Sequence, residues 1–278
     1  MKIIDVSPTM KNIVMNKYKR KQSIKPLNMK IVETNTIKNK FTNYNYLKTF
    51  IKFNKTSCLY EIDPINLLSP INYDIFIKYI YLKNPTNRFH KNMYINHIKA
   101  FNNFKEPDGS KNNKNDFINS CNNFINNNNC PDTIIPISKQ KIIIDGSHRV
   151  ANSIIKKHKT LCCEFDTDDL FFDFNFFLKR GFKRKYCDYI GFTIIDLVKN
   201  ITFLKIHFTN KKQYHEKLEK LNNEYEVYYY IKKKNELFAL LATNNKDNFI
   251  YDKEIIKKEY SKYIRKSILK KYKGANIC

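Results

Sequence analysis

The sequence predicts an α+β protein: a small mixed sheet with packed helices, followed by an α/β C-terminal extension. Three observations carry that expectation. Short apolar runs such as Cys58-Leu59-Tyr60-Glu61-Ile62 and Ile142-Ile143-Ile144 have the length and β-branched content of strands. Between them, Ile75, Phe76, Tyr79 and Ile80 recur at helical spacing. Beyond residue 181 strand and helix signals continue to alternate, and 278 residues suffice for a core domain with appendages.

The elements follow in chain order. Residues 1–55 mix short apolar stretches with Lys and Asn and hold no sustained period, so they read as a poorly ordered basic N-terminal arm. The core domain spans 56–180. Its opening strand, 58–62, is ended by Asp63-Pro64, which leads into a short helix start at 65–68. One helix covers 73–81 and a second carries Tyr94, Ile98 and Phe101. Glu106-Pro107-Asp108-Gly109-Ser110-Lys111 is a turn by composition. Phe117, Cys121, Phe124 and Ile125 form the apolar stripe of a third helix, which the Asn tract 126–129 ends.

Residues 133–137 and 141–144, joined by polar Ser138-Lys139-Gln140, read as a hairpin. Pro136 cannot donate to a ladder, which places the first of these strands at a sheet edge or beside a bulge. After Asp145-Gly146-Ser147 a helix begins, with Val150, Ala151, Ile154 and Ile155 buried and Lys156, Lys157 and Lys159 near its end, where cations suit the helix dipole. A strand at 160–165 follows, then an aromatic segment, 170–177, bridging to the extension. The extension, 181–278, should hold a helix around 189–197, a strand at 201–208, a charged helix at 211–221, a strand at 226–232 and one basic helix at 253–272.

The net charge of +25 invites nucleic acid, phosphate-rich ligands or an anionic membrane as partners. That excess is almost all lysine. The arginines are Arg20, Arg88, Arg149, Arg180, Arg184 and Arg265, whereas base and phosphate readers usually exploit the arginine fork. An abundance of Lys, Asn and Ile is what A/T-rich codons produce, so nucleic acid ranks second as a partner. The seven cysteines form no Cys-x-x-Cys pair and suit reduced thiols, and no apolar run approaches the ~18 residues of a membrane span. These features point to a soluble, cytoplasmic chain.

The segment that carries chemistry is Asp145-Gly146-Ser147-His148-Arg149. Glycine permits a tight turn and close approach of a ligand to the backbone. Amides of the first helical turn, the positive end of the dipole and a nearby guanidinium then converge where a phosphate could be held. The same residues also fit a plain helix start, with Asp145 or Ser147 as the cap and Arg149 paired to a carboxylate.

The run 142–151, Ile-Ile-Ile-Asp-Gly-Ser-His-Arg-Val-Ala, resembles the Gly-x-x-Arg segment of the ParB/sulfiredoxin superfamily, and residues 60–68 resemble that superfamily's opening strand and turn. The resemblance covers roughly 58–165 and implies a ParB/sulfiredoxin-like nucleotide-binding domain. It implies that Gly146 gives backbone approach, that Ser147 and His148 contact phosphate and that Arg149 clamps it. Sulfiredoxins carry a reactive cysteine where Ser147 stands, which disfavours sulfinic-acid repair. Partitioning proteins have Glu-Arg-Arg after the glycine and a helix-turn-helix behind it, and neither is legible here. Asp-Gly-x-His-Arg is closer to the small-molecule kinase branch and to ParB-like proteins encoded with polysaccharide genes.

This resemblance implies a nucleotide-dependent phosphotransferase acting on a small hydroxylated metabolite, for instance in surface glycan biosynthesis, with ATP or ADP, or CTP, as cofactor and Mg2+ beside it. A base is also needed: Asp145, His148 and Glu106 are the catalytic candidates, with Asp108 and Lys111 on the substrate side and Glu61 and Asp63 as further carboxylates. Residues 106–111 also suit a plain polar turn, and His148 a half-buried histidine bonded to a carbonyl. Glu164, Asp166, Asp168 and Asp169 could bind a cation or form a solvated loop. Two alternatives stand beside the enzyme: a ParB-like protein that holds DNA through its lysines, and a regulatory module without chemistry.

Overall fold

A computed structural model describes residues 27–49, 51–53, 55–106, 109–126, 133–167, 170–242 and 252–275. The protein is α+β, as expected. A four-stranded mixed sheet has the order β1 (Leu27–Glu33), β2 (Thr56–Ile62), β4 (Thr160–Phe165), β3 (Ile135–Ser138). β1 and β4 flank β2 antiparallel, while β3 lies parallel to β4. Parallel neighbours need a crossover. It is supplied by α5 (Ser147–Lys156), so the expected Gly146 turn lies at the head of a β-α-β unit.

Pro136 sits on β3, at the edge of the sheet, where its missing donor costs nothing. The expected hairpin is reduced to one antiparallel bridge, Ile137 to Ile143. Two backbone bonds reinforce it: Ser138 N–H to the Ile142 carbonyl at 2.8 Å and Ile144 N–H to the Pro136 carbonyl at 3.0 Å. The other side of Ile143 is satisfied by a side chain, since Asn72 accepts from its N–H at 3.2 Å and donates to its carbonyl at 3.3 Å. Asn72 thus stands in for a further strand, and the chain is released toward α5.

Three helices, α2 (Asp74–Lys83), α3 (Arg88–Asn102) and α4 (Lys114–Asn126), contribute buried residues to the core that this sheet shares. All three match the expected helices. Part of the expected N-terminal arm is ordered instead. β1 pairs along β2, and a 3-10 turn (Thr34–Lys40) and α1 (Tyr44–Leu47) bring Phe41, Leu47, Ile51 and Phe53 onto a core shared with Ile134, Ile144, Cys163 and Phe165. The apolar residues of this segment pack from irregular backbone, which leaves no period to read. Residues 1–26 lie outside the described residues.

α6 (Phe174–Lys179) leads up to the extension, which opens with α7 (Arg184–Leu197) and carries an antiparallel sheet ordered β5 (Ile201–His207), β7 (Glu236–Ala242), β6 (Glu226–Lys233). α8 (Lys211–Glu224) lies between β5 and β6 in sequence. β7 was not expected: Leu237 to Ala242 are buried on both faces, so the strand shows no alternation. The single terminal helix is two, α9 (Lys253–Ser261) and α10 (Lys266–Ala275), hinged about buried Ile264.

One continuous core crosses the expected boundary at residue 180. Phe174 bridges it, with its ring 6.1 Å from Tyr73 on one side and 5.2 Å from Tyr229 on the other. Among the described residues, no helix is long and apolar enough to cross a membrane.

Candidate functional site

The site is built around the start of α5. Gly146 adopts φ of +97°, and no side chain caps the helix there. The first helical bond runs from the Val150 N–H to the Gly146 carbonyl at 3.0 Å, so the amides before Val150 stand at the positive end of the dipole. Neither Asp145 nor Ser147 acts as a cap, which removes half of the plain reading.

The other half is present. The Arg149 side chain is buried and turned inward, donating from Nη1 to the Ile134 carbonyl and from Nη2 to Asp145 Oδ2, both at 3.2 Å. Its guanidinium therefore supports the turn and neutralises Asp145. Burial and a double attachment explain this: an arginine in the low-dielectric interior is tolerated only where its donors are engaged.

A second cation at the helix start is one the sequence reading missed. Asp74 and Lys78 are four residues apart on α2, so they share a face, and both are buried. Lys78 Nζ donates to Asp74 Oδ2 at 2.8 Å and also to Ser147 Oγ. Burial opposes the Asp74 charge, yet Lys78, His97 and hydrogen bonds from Lys78 and Ser147 outweigh it and hold the carboxyl below its usual range. Ser147 Oγ thus accepts from an ammonium whose other partner is a carboxylate. A lysine inside the apolar run Ile75 to Tyr81, with an aspartate four residues before it, was the available signal, because charges on such a face must be matched.

Two histidines complete the interior. His148 Nε2 lies 2.9 Å from the Tyr94 hydroxyl, and the Tyr94 ring stacks on Tyr81 at 4.4 Å. Burial, followed by the charges of Lys78, Lys111 and Arg149 and the neighbouring His97, drives the His148 imidazole well below its ordinary value, so it is neutral. His97 is fully buried, and neither ring nitrogen has a hydrogen-bond partner. Burial and then Lys78 push it down to about 3, against a smaller opposing effect of Asp74.

The outer rim gathers the remaining carboxylates. Asn43 Nδ2 donates to Asp145 Oδ2 at 3.2 Å. The Tyr46 hydroxyl is pushed up to about 12 by burial and then by the negative charges of Asp145 and Glu106. Glu106 pairs with Lys111 at 4.0 Å, and the Lys111 ammonium lies 5.2 Å from the Phe117 centroid. Residues 41–46 line a shallow depression of about 220 Å³ beside Asp145.

The structure therefore brings Asp145, Gly146, Ser147, His148, Arg149, Glu106 and Lys111 into one region, with Lys78, Asp74, Tyr94, His97 and Asn43 added to them. Asp108 lies outside the described residues. Glu61 and Asp63 are engaged elsewhere, Glu61 with Lys159 at 3.6 Å and Asp63 with Lys199 at 3.6 Å. Of the acidic cluster, Glu164 is taken by Lys141 and Tyr60, Asp166 pairs with Lys139, and Asp168 and Asp169 lie outside the described residues. No group among the described residues has the arrangement of a metal site.

Fold and site together define an α+β protein whose crossover helix opens onto a buried cation, a hydroxyl and two rim carboxylates. Comparison with protein-family models, with curated proteins and with solved structures returns no match.

Proposed function

We propose that the protein is a nucleotide-dependent phosphotransferase that acts on a small hydroxylated metabolite, with the nucleotide phosphates seated at the start of α5. The observation that carries this reading is the Lys78 ammonium directed at Ser147 Oγ beside an uncapped helix start. A cation, backbone amides and the dipole acting on one point are what an anion needs. Phosphoryl transfer asks the protein chiefly for positioning and electrostatics, which these groups supply.

In this reading Lys78 takes the direct cationic role that the resemblance implies for Arg149. Arg149 holds the Gly146 turn and orients Asp145. Asp145 or Glu106 accepts the proton of the acceptor hydroxyl, and the Glu106–Lys111 pair borders the acceptor. The two rim carboxylates also suit Mg2+, which would neutralise phosphate charge when bound. Neutral His148, tied to Tyr94, offers a hydrogen bond without adding charge. The ParB/sulfiredoxin-like fold, and an acceptor drawn from surface glycan units, belong to this proposal through the resemblance of residues 142–151.

A thermal-shift panel of ATP, ADP, CTP and GTP with magnesium tests the reading. At least one nucleotide should raise the unfolding midpoint of the wild-type chain. The double variant Asp74→Asn/Lys78→Met, which removes both members of the buried pair and so leaves no orphaned charge, should fold and show no rise. Wild-type protein indifferent to all four nucleotides would sink the proposal, and an undiminished rise in the double variant would remove Lys78 from it.

A further inference from the structure

We infer that Ser147 is itself a phosphoryl acceptor, taking the terminal phosphoryl group of the bound nucleotide to give a phosphoserine in the first turn of α5. The inference rests on the phosphate-binding reading of this site. Two independent observations carry it. The Ser147 hydroxyl accepts from the Lys78 ammonium, which also bonds the Asp74 carboxylate at 2.8 Å, and Ser147 in turn helps to hold that carboxyl below its usual range. Beside that pair stands His97, fully buried, with both nitrogens unpartnered.

The first observation is the arrangement of an acceptor hydroxyl with its base. The Ser147 Oγ–P bond forms while the bond from phosphorus to the bridging oxygen of the nucleotide breaks. The electron pair of the broken bond leaves with the shortened nucleotide, and the Ser147 proton passes to Asp74. The Lys78 ammonium faces the negative charge that gathers on the transferred group. Asp74 is a weak base because its charge is well stabilised, but a loose phosphoryl transition state asks less basicity of it than acyl transfer would. That separates this chemistry from acyl transfer, in which a serine must be activated by a much stronger base.

The second observation concerns the product. A phosphoserine brings close to two negative charges and three acceptor oxygens, and the positive end of a helix is where such a group is most stable. An unpartnered buried imidazole is costly in the unmodified chain. Anionic charge placed beside it raises its affinity for a proton, so phosphorylation would offer His97 a partner that the unmodified chain lacks. The energetic penalty at His97 is thereby relieved in the modified state alone.

The experiment is to incubate the full chain with each magnesium nucleotide and follow intact mass and phosphopeptides. One added phosphoryl group should map to Ser147, be absent from Ser147→Ala, and form about 100-fold more slowly in Asp74→Asn, the usual scale for loss of a general base. Mapping on wild-type protein decides the matter even where Asp74→Asn folds poorly. Nucleotide-induced stabilisation without phosphate at Ser147, or phosphate at another residue, overturns the inference and leaves nucleotide binding intact. Absence of both stabilisation and label removes the two proposals together.

Discussion

Arg149 folds back over Gly146, so that its Nη2 lies 2.7 Å and its Cζ 3.0 Å from where a Cβ at residue 146 would stand. Ile135 Cδ1 closes the other side at 2.7 Å. Neither neighbour can give way freely: Ile135 belongs to β3, and the guanidinium is bonded to Ile134 and Asp145. Gly146→Ala therefore combines a positive φ, unfavourable for any residue with a Cβ, with overpacking of the turn. Urea unfolding should show a loss of about 2–4 kcal/mol with an unchanged slope. A loss below about 0.5 kcal/mol would mean that the turn relaxes and the guanidinium is not fixed.

That contact also marks how far the sequence could be read. Glycine before a helix, an arginine three residues on and an apolar strand behind it were visible, and the turn they imply is present. Which way the guanidinium points was not, because Ile134 reaches it through the β3 edge and Asp145 through a turn whose dihedrals depend on both. Lys78 shows the complementary case. Its partner Ser147 is 69 residues away, so the pair is made only when α2 packs on α5. Helices with one apolar stripe, such as α3 and α4, were legible because burial on one side leaves a period. β7 was not, because a central strand is apolar on both faces; β1 was not, because its residues are almost all exposed and give no alternation; and residues 34–53 were not, because largely irregular backbone has no sustained period.

His97 gives the interior of the site a pH dependence with a definite sign. Unfolded, its imidazole protonates near 6.5; folded, it does so only near 3. Between those values the unfolded chain binds a proton that the folded chain refuses, so stability is full above about pH 6.5 and declines as pH falls. His90, pushed down to about 4 chiefly by burial, and His148, shifted in the same direction, act likewise. His97→Leu should remove one share of that decline. The stability lost between pH 7 and pH 5 should shrink by about 2 kcal/mol, and at pH 7 the variant should match or exceed the wild type because two unsatisfied polar atoms are gone. Urea titrations at the two pH values measure both quantities. An unaltered decline would show that the ring is hydrated in solution and titrates as an ordinary histidine.

Within the extension, the contact that docks α9 on α7 is made through another glycine. Gly191 sits mid-way along α7, where a Cβ would fall inside the van der Waals surface of the Tyr260 phenol of α9. The absence of a side chain lets Tyr260 reach through to donate its hydroxyl to the Asp188 carbonyl at 2.9 Å. Tyr260 is fully buried and packs its ring 5.0 Å from Phe192 and 5.7 Å from Phe203, so it cannot swing aside without opening that cluster. Gly191→Ala should cost about 3 kcal/mol, at the upper end for overpacking, and Tyr260→Phe about 1 kcal/mol for the lost hydrogen bond. Because the phenolic oxygen is the atom the new methyl group meets first, the double variant should cost less than the two single changes together. Strict additivity in that cycle would place the strain of Gly191→Ala somewhere other than Tyr260, and α9 would then be docked by its apolar face alone.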